Sequence, residues 1–113
     1  MSAAGRAAAI ITGGARGIGK AIALKLTTAQ AVVLVGRTET DLQQVCAQIV
    51  ASGGTAVYCV GDVADPATAT SSVAILRAQG WTLRHLVCNA GIGKSGATES
   101  LDGTAWTRVF DVN

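Results

Sequence analysis

The residues of this chain best suited to chemistry are the run Thr12-Gly13-Gly14-Ala15-Arg16-Gly17-Ile18-Gly19. An apolar stretch, Ala8-Ala9-Ile10-Ile11, stops abruptly at these glycines. A helical pattern then starts at once with Ile18, Ala21, Ile22, Lys25 and Leu26. Glycine serves where the backbone takes a positive φ or lets another group come close. A turn that feeds straight into a helix also offers unpaired N–H groups and the positive end of the helix dipole. The chemistry this predicts is phosphate binding, and the usual occupant of such a turn in an α/β sheet is a dinucleotide pyrophosphate. A plain tight turn is the competing reading of the loop in isolation, because 14 glycines in 113 residues produce such spacings by chance.

The elements that must position this loop follow from alternating apolar runs and helical patterns. A first strand is predicted over 7–12 and a first helix over 17–29. Ala31-Val32-Val33-Leu34-Val35 is an unbroken apolar run of the kind buried on both faces of a parallel sheet. A second helix carries Leu42, Val45, Cys46 and Ile49 at i, i+3, i+4, i+7, with Thr38 as candidate N-cap and Gly53-Gly54 at its end. A third strand over 55–60 leads into Gly61-Asp62-Val63. Asp65-Pro66 then opens a third helix that runs to about 79, where Gly80 closes it. A fourth strand over 83–88 precedes Asn89-Ala90-Gly91. A loop over 92–99 leads to a last helix from 101, with Trp106, Val109, Phe110 and Asn113 on one stripe. The order β-α-β-α-β-α-β-α predicts an α/β, Rossmann-type doubly wound parallel sheet of about four strands with flanking helices, in the order 3-2-1-4.

Composition narrows the partners. Half of the residues are apolar and only 14% are charged, which suits a sheet covered on both sides. A net charge of +2 is too small to argue for nucleic acid or an anionic membrane surface. No segment approaches the ~20 apolar residues of a membrane span, and Met1-Ser2-Ala3-Ala4-Gly5-Arg6 lacks the apolar core of a secretion signal. Cys46, Cys59 and Cys88 are unclustered, with no histidine at ligand spacing. They read as reduced, buried residues of a cytoplasmic protein without a metal site. His85, the only histidine, reads as a packed or edge residue of the fourth strand, and Trp81 and Trp106 read as packing.

Four special segments follow the four strands: the glycine loop, Gly36-Arg37, Asp62-Val63 and Asn89-Ala90-Gly91. All fall at the carboxyl end of the predicted sheet, where open α/β sheets bind ligands. These segments resemble the markers of the short-chain dehydrogenase/reductase family. Thr12 to Gly19 is similar to its T-G-x-x-x-G-x-G fingerprint, Asp62-Val63 and Asn89-Ala90-Gly91 to its next two markers, and Phe110-Asp111-Val112-Asn113 to the end of its fourth helix. Cys88 departs from the family pattern, which commonly has a second asparagine there. The resemblance implies that Gly13, Gly17 and Gly19, with Ala15 and Ile18 in the same turn, let the chain approach the cofactor pyrophosphate. It implies that Asp62 accepts a hydrogen bond from the adenine amino group with the Val63 backbone alongside. Asn89, Ala90 and Gly91 would line the cofactor ribose, Asn89 also tying neighbouring strands together. The competing readings are a loop cap for Asp62 and a turn-forming asparagine for Asn89. Asn113 is implied as a catalytic residue that helps hold a water in the proton relay, with a helix C-cap or a cut chain end as the alternatives.

Gly36-Arg37 bears on which nicotinamide cofactor binds. An NAD site places a carboxylate at the end of the second strand to hold the ribose 2′-hydroxyl. Here that position is Gly36, followed by Arg37, so nothing there repels a 2′-phosphate. A guanidinium grips phosphate through paired, charge-assisted hydrogen bonds. Arg16 would close on the same phosphate from the other side and Thr38 would add a hydroxyl. Either arginine being merely solvated is the alternative. NADP(H) is the expected cofactor, in preference to NAD(H).

The family also needs a serine and a Tyr-x-x-x-Lys pair. The only tyrosine is Tyr58, and position 62 is Asp62 rather than lysine. Residues 1–113 are therefore expected to be the NADP(H)-binding N-terminal part of a single domain. This part is expected to be truncated after Asn113 and inactive by itself. The parent would move hydride between the nicotinamide and a ketone or secondary alcohol, acting as a homo-oligomer on a small molecule. A non-catalytic dinucleotide-binding module is the alternative. With no fifth strand, the fourth strand would be an open edge that invites pairing or leaves the fragment marginally stable.

Overall fold

The apolar run after position 30 forms strand β2 (Ala31–Gly36), in which Ala31 to Val35 are all fully buried. Such complete burial needs helices on both faces. The computed structural model, which describes residues 6–89, supplies them. Around β2 lie strands β1 (Arg6–Thr12), β3 (Ala56–Val60) and β4 (Trp81–Cys88), and helices α1 (Gly17–Leu26), α2 (Glu39–Ala51) and α3 (Pro66–Ala78). The sheet is parallel throughout with strand order β3-β2-β1-β4, the Rossmann-type order expected from the element pattern.

Alternate residues of β1 and β2 feed two separate core layers. Ala8, Ile10, Val33 and Val35 pack with Ala69, Val73 and Leu76 of α3. Ala9, Ile11, Val32 and Leu34 pack on the other face with Ala23 of α1 and Leu42, Val45, Cys46 and Ile49 of α2. The two-residue period of the strands thus divides one apolar run between the helices of the two sides. The Leu42, Val45, Cys46, Ile49 stripe faces the sheet as its spacing predicts.

Several boundaries differ from expectation for local reasons. Helix α1 ends at Leu26 rather than near 29. Thr27 and Thr28 turn their hydroxyls back onto the carbonyls of Leu24 (2.9 Å) and Lys25 (3.0 Å), and the backbone tightens into i→i+3 bonds at Thr28 and Ala29. Strand β4 starts at Trp81, two residues early, because Arg6 and Ala7 of β1 extend to pair with Trp81 and Thr82. A bulge follows: Ala8 pairs with Leu83 but Ala9 with His85, so Arg84 is the extra residue. Thr38 sits at the α2 N-cap but makes no side-chain cap bond. Asp65, by contrast, caps α3 by accepting from the Ala67 amide at 3.0 Å, with Pro66 in the first turn. Cys88 is exposed rather than buried, since β4 is an outer strand of the described sheet, whereas Cys46 and Cys59 are buried.

Trp81 packs against the α3-side core, and His85 Nδ1 hydrogen-bonds the Gln30 side chain at 3.1 Å, so both have structural roles. Among the described residues no helix is long and apolar enough to cross a membrane. Ala90, Gly91, the 92–99 loop, and the last helix with Trp106, Val109, Phe110 and Asn113 lie outside the described residues.

Candidate cofactor site

Because all four strands run parallel, their carboxyl ends share one edge of the sheet. That edge carries the glycine loop after β1, Gly36-Arg37 after β2, Gly61-Asp62-Val63 after β3 and Asn89 after β4. Backbone bonds lock the first three together. The Gly13 amide donates to the Val35 carbonyl at 2.9 Å, and the Gly61 amide to the Gly36 carbonyl at 2.8 Å.

The glycine loop has the backbone its sequence calls for. Gly13 and Gly17 take φ of 68° and 52°, the left-handed region that costs other residues about 1–2 kcal/mol. A Cβ at Gly17 would meet no atom of the described residues within 4 Å, so among them the space beside it is open to a ligand. Gly19 has a different reason: its Cβ would lie 2.1 Å from the Gly13 carbonyl oxygen and 2.7 Å from Asn89 Nδ2. It lets α1 pack against its own loop and against the end of β4, a packing role rather than a direct opening toward a ligand.

Arg16, with extended backbone, is the N-cap of α1 but offers no side-chain cap bond, and the first turn of α1 contains no acidic residue. The first turn of α2 carries Glu39 and Asp41, and Asp65 caps α3. Helix α1 therefore starts with its positive end uncompensated by its own side chains, at the turn with open space.

Thr12, the first residue of the glycine run, also joins β1 to β4. Its buried hydroxyl accepts from the Asn89 amide at 2.9 Å and donates to the Val87 carbonyl at 3.4 Å. The tie expected of Asn89 thus runs through its backbone, with the Thr12 side chain as the connector. A hydroxyl at the end of an otherwise apolar buried strand is the signal that marks it. Asp62 Oδ1 accepts from the Ala64 amide at 2.9 Å, so the loop cap accounts for one of its two oxygens. Arg37 and Thr38 are exposed directly beyond β2. Among the described residues the atoms nearest a Cβ at Gly36 would be those of Leu42, at 3.4–3.9 Å.

The Arg16 guanidinium is engaged by a carboxylate of α2. Its Nε donates to Asp41 Oδ2 at 3.0 Å, and its Nη2 bonds the same oxygen, an ion pair absent from the sequence reading. The two residues line a groove of about 390 Å³ between α1 and α2, together with Ala15, Lys20 and Gln44; Arg37, Asp62 and Asn89 are not part of it. Burial pushes the thiol pKa of Cys46 up, and partial burial does the same for Cys88, so both favour the neutral thiol. Among the described residues no group of three His, Cys, Asp or Glu is placed to hold a metal ion.

A profile of the short chain dehydrogenase family matches residues 7–113. The chain belongs to the short-chain dehydrogenase/reductase family. Galactitol 2-dehydrogenase of Rhizobium johnstonii is 38% identical over 107 residues, covering 93% of this chain and 41% of that protein. The 3-oxoacyl-[acyl-carrier-protein] reductase of Synechocystis is 32% identical and covers 100% of this chain and 47% of its own length. The chain thus spans less than half the length of each. Among solved structures, the L-sorbose reductase of Gluconobacter frateurii, in complex with NADPH and L-sorbose, is 28% identical with a TM-score of 0.80, covering 95% of this chain and 45% of that one. A metagenomic short-chain oxidoreductase in complex with NADP is 30% identical with a TM-score of 0.76, covering 98% and 57%.

Short-chain dehydrogenases/reductases are oxidoreductases that bind nicotinamide cofactors. The donor set here fits one: a turn with open space at Gly17, a helix start without its own anion, and a guanidinium at the end of β2.

Proposed function

We propose that this chain is the cofactor-binding N-terminal part of an NADP(H)-dependent short-chain dehydrogenase/reductase. Its reaction is hydride exchange with a ketone or secondary alcohol. The observation that carries the cofactor choice is the end of β2, where Gly36 leaves no carboxylate and Arg37 is exposed beside it. Relatives named galactitol 2-dehydrogenase, cyclohexanol dehydrogenase and 3-oxoacyl reductase support the substrate class, since each name describes a secondary alcohol or its ketone.

In this reading the turn of Gly13, Ala15, Gly17 and Ile18 takes the pyrophosphate on its amides, with Gly19 holding α1 close behind it. Arg37 holds the 2′-phosphate, and Arg16 and the Thr38 hydroxyl complete that site. Asp62 and Val63 contact the adenine, Asn89, Ala90 and Gly91 the ribose, and Asn113 supports the proton relay. The bound nicotinamide supplies the hydride acceptor or donor. Residues 1–113 contain no Tyr-x-x-x-Lys pair, so this stretch by itself is read as turning over no substrate, and the protein as working as a homo-oligomer.

Replacing Arg37 by alanine removes hydrogen bonds to a charged group, worth about 1.5–3 kcal/mol. In the full-length protein NADPH binding should weaken about 10- to 100-fold by calorimetry while NADH binding stays within about twofold. Equal weakening of both cofactors would place the 2′-phosphate elsewhere.

A further inference from the structure

We propose that Asp41 is a specificity-determining residue: it occupies the Arg16 guanidinium, competes for it with a 2′-phosphate, and so sets how strongly the site prefers NADP(H) over NAD(H). This inference rests on the cofactor reading above. Arg16 lies at the start of α1, yet its guanidinium crosses to Asp41 in the first turn of α2, 25 positions along the chain. Its Nε and one Nη are both spent on a single carboxylate oxygen. The pair leans into the groove between the two helices, a groove that Arg37 does not line. In this arrangement one guanidinium follows β2 directly and the other is bonded to a carboxylate of α2.

Both partners keep contact with water, the Arg16 side chain being 78% exposed and that of Asp41 27%. Solvated ion pairs of this kind are weak and exchange readily, so a phosphate dianion can take the guanidinium over. To do so it must first break the pair. That cost lowers affinity for a nucleotide that carries the 2′-phosphate and leaves one without it untouched. Helix α2 keeps Glu39 in its first turn whether or not Asp41 is ionised, so a loss of dipole compensation is not the main consequence of neutralising Asp41.

Adenosine 2′,5′-bisphosphate and adenosine 5′-monophosphate isolate the phosphate in question, and calorimetry on the full-length protein reads both. Asp41→Asn should tighten the bisphosphate about two- to fivefold, which is about 0.4–1 kcal/mol at 1.4 kcal/mol per tenfold, and leave the monophosphate unchanged. In an Arg16→Ala background the same substitution should give no gain, because there is no guanidinium left to release. Unchanged or weaker bisphosphate binding by Asp41→Asn overturns the inference, weaker binding meaning that Asp41 orients Arg16 for the phosphate. A gain that survives in the Arg16→Ala background overturns it too, since Asp41 then acts by its own charge. Wild-type protein that binds both nucleotides equally removes the NADP(H) reading itself and the inference with it. A wild-type preference for the bisphosphate that Asp41→Asn leaves unaltered sinks the Asp41 role alone.

Discussion

Replacing Gly19 by alanine tests the packing on which the phosphate turn depends. The added Cβ lies 2.1 Å from the Gly13 carbonyl oxygen and 2.7 Å from Asn89 Nδ2. Non-bonded heavy atoms settle near 3.5–4.0 Å, so helix and loop must part by about 1 Å or more. A side chain could rotate away, but the closest atom is backbone, held by the bond from the Gly13 amide to Val35. Alanine gains about 1 kcal/mol over glycine as a helix former. Overpacking against atoms that cannot yield costs about 1–3 kcal/mol, and the clash prevails. In the full-length protein the net loss should lower Tm by roughly 2–8 °C. The larger effect should fall on binding, because the retreat of α1 moves the N–H groups of Gly17 and Ile18 away from the Gly13 turn. NADPH affinity, followed by protein fluorescence quenching or calorimetry, should drop at least about tenfold, and NADH affinity should fall in parallel because the pyrophosphate is common to both. A Gly19→Ala protein with wild-type Tm and wild-type affinity for both nucleotides would show that the contact is not built as described.

Gly36→Asp should reverse the cofactor preference. Among the described residues the nearest atoms to the Cβ are those of Leu42 at ordinary contact distance, so the fold tolerates it, and the carboxylate would repel a 2′-phosphate while accepting from a 2′-hydroxyl. The ratio of NADPH to NADH affinity should fall at least about tenfold, whereas an unaltered ratio would mean that the end of β2 does not face the ribose. Cys46 should show the sign of its pKa shift in stability. Burial raises the folded-state pKa above that of the unfolded chain, so its contribution is complete below the ordinary thiol range and is lost as pH rises through that range and past it. The midpoint of urea unfolding should therefore fall more between pH 7 and pH 10 for the wild type than for Cys46→Ala, and equal slopes would contradict the assignment.

How much of this was legible in the chain depends on the range of the interaction involved. The β2 run, the α2 stripe and the Asp65-Pro66 start are local patterns of burial and capping. All three appear as read, and the strand order follows from their alternation. The early start of β4 was not legible, because Trp81 and Thr82 extend the strand only by finding Arg6 and Ala7 across the sheet, with a bulge at Arg84 that breaks the two-residue period. Thr12 as connector and Asp41 as partner of Arg16 are likewise contacts across 77 and 25 positions. Composition marks such residues as polar and says nothing of whom they meet. Thr38 shows the converse: its type and place predict a cap, yet its hydroxyl is not used for one.

On the proposed NADP(H) reading, the charges around the end of β2 put the cofactor choice on one side chain. A helix N-terminus ordinarily attracts phosphate, but α2 begins with Glu39 and Asp41, whose carboxylates offset the positive end of its dipole. Glu39 accepts from the Tyr58 hydroxyl at 3.0 Å, which is itself approached by Gln43, so that carboxylate is held in place rather than swung aside. Asp41 holds Arg16. Arg37 is exposed directly beyond β2, and it stands next to the position where, on the proposed reading, a carboxylate would reverse the selection. The pyrophosphate can rely on backbone N–H groups at the start of α1, where no acidic side chain competes. On the proposed reading the 2′-phosphate has no such helix end to use, and its recognition falls to guanidinium side chains. That separation is why substitutions in the glycine turn should weaken both nicotinamide nucleotides together, whereas substitutions at 36, 37 and 41 should move them apart.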